Sequence, residues 1–568
     1  MLQLCIISSA CLLSLSWLVG THYLPWVSWH SEAAAFLAVL LAGWGCCARL
    51  IAKRDRHYVA FPVATLPLVA MAIVVGLQAA VGLVPFWGDA WTFCFYAALC
   101  VICLILGSSA ASPLSRPGKL MEPIAVLACS IVVGASVSVF IAFCQVFSLW
   151  EQLDWIARLD KLRRPGGNMG QPNHLATLLV MGIASLVFLH HAKKLGTAAC
   201  GAVLLLLGAG LALTESRSGL LSVILLLSWW LLKHRAIGNT TPRYVGIVFG
   251  LVLVGMFWAW PHLLNAMNLL NQHADGRMLE GSLRLEVWPQ LLRGLIASPW
   301  IGWGFHQVAA AHNSVASAYA VSEPYSYSHN LVLDMALWFG VPATLLLTGA
   351  AAFWIWRRAR DANHLLPWYG LAVATPMVLH GLLEFPHAYA YFLAPVMFSL
   401  GAVEASTGVK PLVRVGIKSV VAVLLLVSAA MSLSVVEYLK IEEDFRAARF
   451  QALRIGSDRP ADQRPTVLLY SQLGTLLDAT RTMPAPGMSP GAMLVLKQAA
   501  LHYPWSATQY RYAVALALNG EAAEAARQLR VMRVMWGEMV YAGVQRQIAE
   551  LATTRYPELS ALAWPRDE

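Results

Sequence analysis

Repeated long apolar runs constrain the fold of this chain more than any other feature. About thirteen runs of roughly 16–25 residues lie within the first 436 residues, and each is long enough to cross the ~30 Å hydrocarbon core of a bilayer as a helix. Of the 568 residues, 58% are hydrophobic and only 12% are charged, which is about half the charged fraction of a soluble protein. The sequence therefore predicts an all-α polytopic membrane protein.

The predicted transmembrane domain covers residues 1–436, and a large hydrophilic loop over 261–329 interrupts its apolar runs. The first run could be mistaken for a signal peptide. It has no basic n-region and no Ala-x-Ala site, so we interpret Leu2–Val19 as a retained span. The spans are predicted at approximately 2–19, 33–48, 58–77, 90–107, 123–148, 174–190, 196–213, 218–232, 244–260, 331–351, 365–383, 389–404 and 415–436.

Basic residues concentrate in alternate loops, and the positive-inside rule places those loops in the cytoplasm. This assignment requires the short turn at 214–217 to lie outside, and it puts the 261–329 loop and the C-terminal tail outside as well. The cytoplasmic set comprises Arg49, Lys53, Arg54, Arg56, Arg116, Lys119, Lys193, Lys194, Lys233, Arg235, Arg357, Arg358, Arg360, Lys410 and Arg414.

Polar residues that are difficult to explain as ordinary loop filler then fall on the external face. Such one-sided clustering is what an active site open to the periplasm produces, although loops are polar anyway and chance is the competing explanation. The set comprises Glu32, Gln78, Asp89, 163–174, Glu215, Ser216, Arg217, 277–329, Glu384, Tyr389 and Tyr391.

The tripeptide Ser328-His329-Asn330 stands where the hydrophilic loop meets the apolar run Leu331–Ala351. An imidazole titrates near neutral pH and can accept or donate a proton there. At the lip of a membrane helix it meets water, lipid headgroups and protein at once. His329 is therefore the leading candidate for acid–base chemistry at the bilayer surface.

The segment Arg163–Val180 leads into the sixth predicted span. Its glycines permit unusual backbone geometry, and Asn173 is expected to cap a helix that opens at His174. Exposed N–H groups at a helix start favour an anion. Two interpretations stay open. Gln171, Asn173 and His174 could form a polar pocket around a phosphate or sugar, or the segment could be only a helix cap in which the histidine is hydrogen-bonded within the protein.

Arg217 and Arg284 are the external arginines of greatest interest. The guanidinium fork suits a diphosphate, so the pair could form a clamp. The alternative is that each arginine extends to lipid headgroups. In the nearby Ser298–Gln307 turn, the aromatic residues Trp300, Trp303 and Phe305 are predicted to hold the loop against the bilayer.

Several function classes are disfavoured by what the sequence lacks. There is no G-x-x-x-x-G-K-[ST] motif for a nucleotide-driven pump and no dense acidic cluster for a divalent cation on phosphates, so no cofactor and no metal is expected. All ten cysteines precede residue 201, and Cys100 and Cys103 lie in an apolar helix. The basic residues are scattered, which argues against nucleic acid as a partner.

Three segments carry a resemblance to a known family. Pro299–Phe305 (P-x-x-G-x-G-F) and His329–Gly340 (H-N-x-x-L, then Gly) resemble the O-antigen ligase/polymerase superfamily of bacterial inner-membrane enzymes. Gly167–Leu179 resembles its branch of PglL-type protein O-oligosaccharyltransferases, which glycosylate pilins and other periplasmic proteins. One departure is Asp334, where many superfamily members have Glu. Further segments that fit this branch are Pro25–Ala33, Gly88–Trp91 and Glu384–Leu393.

The resemblance implies transfer of a preassembled glycan from undecaprenyl diphosphate to a Ser or Thr hydroxyl of a periplasmic acceptor protein. His329 would then be the general base, and Arg217 and Arg284 would bind the diphosphate without a metal. The glycan and acceptor would contact Gln171, Asn173, His174, Glu384, Tyr389 and Tyr391. O-antigen ligation to lipid A–core and glycan polymerisation are the alternatives, and transport of a lipid-linked glycan is a more distant one.

The tail over 437–568 changes character and is predicted to be periplasmic and helical. Val436–Phe450 should continue from the last span, and Ala515–Leu529 has the pattern of a tetratricopeptide-like hairpin. One such unit buries its apolar face poorly, so it should pack on neighbouring helices. Its role is either acceptor docking or stabilisation. Further helices are predicted at Met493–His502, Ala507–Leu518 and Glu521–Trp536.

Overall fold

The computed structural model describes residues 2–52, 58–111, 122–158, 164–238, 241–267, 283–452, 463–562 and 564. The predicted loop residues 268–282 and the basic residues Lys53, Arg54, Arg56, Arg116, Lys119 and Arg163 lie outside these ranges.

The described residues form α-helices and two short strands. The helices are α1 Leu2–Leu18, α2 Trp29–Ala52, α3 Thr65–Ala80, α4 Trp87–Ala111, α5 Pro123–Val146, α6 Pro172–His191, α7 Thr197–Thr214, α8 Arg217–Lys233, α9 Arg243–Ala266, α10 Arg284–Ile296, α11 Val308–Ala316, α12 Leu331–Phe339, α13 Val341–Asp361, α14 Leu365–Gly381, α15 Ala390–Ser406, α16 Ile417–Ala452, α17 Ser471–Arg481, α18 Pro490–His502, α19 Ser506–Leu518 and α20 Ala522–Thr554. The strands are β1 Tyr58–Phe61 and β2 Val413–Gly416.

The chain divides into two compact units. Unit 1 comprises Met1–Ala70, Phe95–Leu279 and Ala350–Ser432, and unit 2 comprises Met71–Cys94, Glu280–Gly349 and Leu433–Glu568.

Membrane-spanning helices are confirmed as the dominant element. Seven of the described helices are long and apolar enough to cross a bilayer, namely α2, α4, α5, α6, α7, α9 and α16. Three shorter apolar helices accompany them, in the segments Gln3–Leu18, Thr65–Ala80 and Ala390–Ser406. The chain is therefore a multi-pass membrane protein, and the count of thirteen spans stays a prediction.

Two predicted spans have the wrong boundaries. The tenth is not one helix, because α12 ends at Phe339 and α13 begins at Val341, with Gly340 at φ 81° between them. A side chain at Gly340 would overlap the carbonyl oxygen of Trp300, so only glycine fits this close approach. The third span begins later than predicted, because Tyr58–Phe61 pairs antiparallel with β2.

Helix α6 lies at the centre of unit 1. Leu175, Leu178 and Leu179 on this helix are completely buried, although the helix is apolar enough to face lipid. It packs against α5 where a Cβ at Gly182 would approach the Cβ of Ala135 to 2.9 Å. Small residues at such crossings let two helix backbones come close in a membrane. This close packing fixes the N-terminal end of α6, where the predicted polar residues lie.

In unit 2, helices α10 to α12 share an apolar core that includes Val287, Leu291, Val308 and Leu337. The glycine-containing turn at 298–307 wraps the end of α12: the Trp303 N–H donates to the Leu337 carbonyl at 2.6 Å, and the Val341 N–H donates to the Pro299 carbonyl at 2.8 Å. The two superfamily-like segments of the sequence are therefore hydrogen-bonded to each other.

The prediction that Trp303 and Phe305 rest on the bilayer is wrong. The Trp303 indole N–H donates to the Gly294 carbonyl at 2.9 Å, and the Phe305 ring packs 4.9 Å from both Phe93 and Trp338. Only Trp300 among the three is exposed. Aromatic residues in a polar loop can be buried against other protein residues, and the amino-acid composition cannot distinguish this packing from contact with lipid.

The helices predicted for the tail are present as α18, α19 and α20, and α16 continues past the last span as expected. Helix α17 was not predicted. The range α20 comprises two helices joined across Gly537, whose φ of 76° and ψ of 171° are not helical, so the first of them ends at the predicted Trp536. On α20, Arg527 donates to the carbonyl of Asn313 at 3.0 Å and Gln528 donates to its side-chain oxygen at 3.1 Å. The tail thus packs on α11.

Candidate active site

His329 lies in a tight turn immediately before α12. Its φ of 59° is left-handed, a backbone conformation that is uncommon for residues other than glycine. The next residue, Asn330, is the N-cap: its side-chain oxygen accepts the N–H groups of Val332 at 3.0 Å and Leu333 at 3.1 Å. The imidazole is therefore held at the mouth of the helix, as predicted.

The residue before His329 is fixed from two sides. The Ser328 N–H donates to the Oδ1 atom of the fully buried Asp334 at 2.6 Å, and the Trp288 indole N–H donates to the Ser328 carbonyl at 2.8 Å. The His329 ring itself is half-buried and lies 4.7 Å from the ring of Tyr325. Asp334, which departs from the superfamily pattern, thus supports the turn that carries His329.

Arg284 shares unit 2 with His329. It is the first residue of α10, and Trp288 lies one turn further along the same helix face. Because Trp288 binds Ser328, this face of α10 is directed toward the His329 turn. Arg217 belongs to unit 1, and its part in a common clamp stays a prediction.

A buried polar network lies beside this turn and was not found from the sequence. His312 Nε2 lies 3.0 Å from the side-chain oxygen of Gln290 and 2.9 Å from the hydroxyl of Ser322. The Tyr325 ring is 6.4 Å from His312 and 4.7 Å from His329, so it lies between the two histidines. Burial lowers the pKa of His312 from 6.5 to about 4, which keeps the imidazole neutral.

The protein should lose thermal stability as the pH falls from 6.5 toward about 4. In that window an unfolded chain protonates His312 and the folded chain does not, so protonation favours unfolding. Above pH 6.5 this contribution is fully present. The melting temperature of the detergent-solubilised protein measures it, and a His312→Gln variant should show a shallower pH dependence. An equal slope in both proteins would contradict this role of His312.

In unit 1 the start of α6 differs from the prediction. The helix begins at Pro172, and its N-cap is Gln171, whose side-chain oxygen accepts the His174 N–H at 2.9 Å. The assignment of Asn173 as cap is therefore wrong. Proline is well suited to the first helical position, because its fixed φ fits there and no N–H is needed. The sequence Gln-Pro-Asn-His should have been interpreted with the cap one residue before the proline.

Because Asn173 does not cap α6, its side chain is able to connect the segments that contain Glu384 and Ser216. Its amide N–H donates to the Glu384 carboxylate at 3.3 Å, and its oxygen accepts the Ser216 hydroxyl at 2.8 Å. Ser216 is in turn the N-cap of α8, since its oxygen accepts the Gly219 N–H at 3.1 Å. The next residue, Arg217, is the exposed first residue of α8. The predicted residues Asn173, Glu384 and Arg217 are thus linked through Ser216.

His174 forms an aromatic cluster with the predicted tyrosines. Its ring lies 4.6 Å from Tyr389 and 6.4 Å from Tyr391, and its Nδ1 atom is 3.3 Å from the Tyr391 hydroxyl. Glu32 fixes the segment that carries both tyrosines, because its Oε2 atom accepts the Ala390 N–H at 2.5 Å and the Tyr96 hydroxyl at 3.0 Å. Glu32 was among the external polar residues of the sequence, but its supporting role was not predicted.

A cavity of about 810 Å3 opens beside this cluster in unit 1. Gln171, His174, Tyr389 and Tyr391 all line it, so four of the six residues predicted to contact glycan or acceptor face one space. Its volume is in the range of roughly 300–1,000 Å3 that is usual for ligand pockets. The other lining residues include Tyr23, Trp150, Glu151, Asp154 and Arg158.

The sequence is similar to those of several known proteins. Three family models match, described as "Protein glycosylation ligase" over residues 165–190, "O-Antigen ligase" over 202–348 and "Virulence factor membrane-bound polymerase, C-terminal" over 368–549. A "General O-oligosaccharyltransferase" from Acinetobacter baylyi is 26% identical over 412 residues, which cover 71% of this chain and 70% of that protein.

A second relative from the same organism is named "ComP-specific O-oligosaccharyltransferase". It is 30% identical over 244 residues, which cover 42% of this chain and 44% of the relative, so the match spans less than half of that protein. Two of the family models describe ligases, and both relatives are named as O-oligosaccharyltransferases. The chain is similar to the PglL-type protein O-oligosaccharyltransferases and to the O-antigen ligases.

The matched regions contain the predicted site residues. The protein glycosylation ligase match contains Gln171, Asn173 and His174 at the start of α6. The O-antigen ligase match contains the two arginines and His329. The polymerase match begins before Glu384 and continues through most of the tail. Each predicted site residue therefore lies within a region shared with the superfamily.

Proposed function

We propose that this chain transfers a preassembled glycan from undecaprenyl diphosphate to Ser or Thr hydroxyls of periplasmic proteins such as pilins. It would do so from the bacterial inner membrane, with its active site facing the periplasm. The observation that supports this most is the His329 turn: a half-buried imidazole at a helix mouth, held through Ser328 by Asp334 and Trp288. The named activities of the relatives favour an enzyme over a transporter.

His329 would act as the general base. The acceptor oxygen attacks the anomeric carbon of the glycan while its proton passes to the imidazole. A new carbon–oxygen bond forms, the bond from that carbon to the diphosphate breaks, and undecaprenyl diphosphate leaves with the electron pair. The proton is then released from His329 to water, which restores the base.

The diphosphate is already a good leaving group, so the protein needs mainly to hold and balance its charge. Arg217 and Arg284 would do this in place of a divalent cation, because their guanidinium forks match phosphate oxygens. Each is the first residue of a helix, where the N-terminal end of the helix dipole also favours an anion. The two arginines therefore offer both charge and orientation.

The unit 1 cavity would hold the glycan or the acceptor segment. Tyr389 and Tyr391 offer aromatic faces, while Glu151 and Asp154 offer acceptors for hydroxyl groups. Gln171 and His174 would add polar contacts at its edge. Asn173 and Glu384, which bond to each other at 3.3 Å, would support this wall.

The decisive experiment uses the full chain in detergent with a lipid-diphosphate glycan and no added nucleotide. A serine-containing pilin peptide should gain the mass of the whole glycan, and the matched peptide with alanine at that serine should not. The O-antigen ligase and polymerase matches supply the second candidate, so lipid A–core is offered in parallel. Transfer to lipid A–core alone would replace the proposed acceptor, and transfer to neither would refute the proposal.

Asp334 tests the positioning of His329. An Asp334→Leu variant should lower the maximal rate about 10–100-fold with little change in the KM for the acceptor, because the Ser328 N–H loses its partner and the imidazole shifts. Asp334→Asn keeps an acceptor oxygen and should retain more of the rate. Equal amounts of folded protein are compared by size-exclusion chromatography. A wild-type rate in the leucine variant would show that Asp334 does not position His329.

A further inference from the structure

Three metal-ligating side chains from distant parts of the sequence meet inside unit 2. Asp89 lies in the first turn of α4, His306 in the turn before α11, and His502 at the end of α18. Asp89 Oδ1 is 3.4 Å from His306 Nδ1 and 3.6 Å from His502 Nε2. One ligand atom from each residue lies within 4.8 Å of the other two.

These separations suit a shared cation better than a set of hydrogen bonds. Nitrogen–oxygen hydrogen bonds cluster near 2.9 Å, and both Asp89–histidine separations exceed that value. A tetrahedral zinc ion with bonds of about 2.0–2.1 Å places neighbouring ligand atoms about 3.3–3.4 Å apart. The two measured edges are therefore close to those of a zinc tetrahedron.

The cluster also contains buried polar atoms without hydrogen-bond partners. Neither ring nitrogen of His502 has a hydrogen bond to the described residues, nor does Asp89 Oδ2, although the two side chains are each only 3% exposed. Burying such atoms unpaired is unfavourable. A cation between Asp89 and the two imidazoles would give the buried Nε2 atom of His502 a partner and so reduce this cost.

His306 is placed by an unusual backbone. Its φ is 62°, a conformation that favours glycine or asparagine over histidine. The preceding glycine-containing turn wraps the end of α12, and the left-handed step directs the imidazole to Asp89. The His306 side chain is 23% exposed, so water can reach this edge of the cluster and complete the coordination.

We propose that Asp89, His306 and His502 bind one zinc ion. Two imidazoles and one carboxylate form a ligand set typical of zinc. The ion would join the tail helix α18 to α4 and to the turn at 298–307, all within unit 2, and so stabilise the surroundings of α12. This role is structural. It does not depend on the proposed glycan transfer, in which the arginines balance the diphosphate.

No metal was expected from the sequence, because it contains no dense acidic cluster, and the three ligands found here are far apart in the chain. Asp89 and His306 are separated by 217 residues, and His502 lies in the tail. Short spacings such as C-x-x-C reveal zinc sites in a sequence, and these three residues show none. Only the packing of the tail on the loop brings them together.

The test is the metal content of the purified full chain. The protein carries an affinity tag without histidines, is produced with zinc in the medium, and is dialysed in detergent against metal-free buffer before elemental mass spectrometry. Wild-type protein should retain about one zinc per chain. His306→Gly, which tolerates the left-handed backbone, and His502→Phe, which retains a buried ring, should both fall to background.

The His329→Ala variant is the matched control, since it should keep its zinc while losing glycan transfer. Adding zinc to chelator-treated wild-type protein should also raise the melting temperature, and His306→Gly should show no such rise. A zinc content of the wild-type protein no higher than that of the buffer would overturn the proposal. So would zinc that persists at the wild-type ratio in both ligand variants, whatever their transfer activity.

Discussion

Replacing His329 with asparagine should lower glycan transfer by about 10²–10⁴-fold, the usual contribution of a positioned acid–base group. Asparagine gives a clearer test than alanine, because asparagine tolerates the left-handed backbone found at this position. The turn can therefore persist while the base is lost. The rate of transfer to a pilin peptide measures the effect, together with the amount of protein in the membrane fraction.

The matched control is His364→Asn, which changes an exposed histidine at the start of α14 and should leave transfer unchanged. The His329→Ala variant should be as inactive as the asparagine variant. If either His329 variant glycosylates the peptide at close to the wild-type rate, His329 is not the base. A loss of protein from the membrane would instead indicate a folding defect, which the asparagine variant is designed to avoid.

Removing the Arg284 side chain should have the second-largest effect. Arg284→Ala should reduce transfer about 10²–10³-fold, the usual cost of deleting one group that stabilises developing negative charge. Arg284→Lys retains the charge but not the planar fork, so it should fall between alanine and wild type. The transfer rate is measured over a range of lipid-diphosphate concentrations, because the loss should affect both donor binding and the bond-breaking step.

Arg293 offers the control within the same helix. It lies exposed in the last turn of α10, and Arg293→Ala removes the same charge and nearly the same surface. Wild-type transfer by Arg293→Ala with a large loss in Arg284→Ala would assign the effect to position 284. Equal small losses in both variants would mean that Arg284 contacts lipid headgroups instead, the alternative that the sequence left open.

The sequence predicted most of the helices and a set of candidate site residues, but few of the contacts that hold those residues in place. Apolar runs of the right length predicted the membrane helices, because hydropathy alone decides whether a segment can enter lipid. The same signal could not reveal the break at Gly340, which depends on a backbone approach to Trp300. It also could not distinguish Phe305 packed on Trp338 from an aromatic ring resting on lipid.

In the candidate site as well, the sequence indicated which residues to consider but did not indicate their contacts. His174, Tyr389 and Tyr391 were selected as external polar residues, and the family resemblance then implied their role at the glycan and acceptor site. The three residues lie together around one cavity. The predicted helix cap, Asn173, is not the cap, and Gln171 takes that position instead. Either side-chain amide can cap a helix, and the choice depends on Pro172 being the first helical residue. The supporting contacts of Asp334 and His312 involve buried partners that no local pattern encodes.

The link from Glu384 through Asn173 to Ser216 has a consequence for biosynthesis. Its members stand 43 and 211 residues apart along the chain, so the link cannot exist until synthesis has passed residue 384 and α6 and α8 have been inserted. A ribosome-bound fragment that ends earlier would contain Asn173 and Ser216 without the carboxylate that accepts the Asn173 amide N–H. The wall beside the cavity would thus be complete only once nearly all of the membrane helices had emerged, so a truncated chain would lack part of the proposed glycan site.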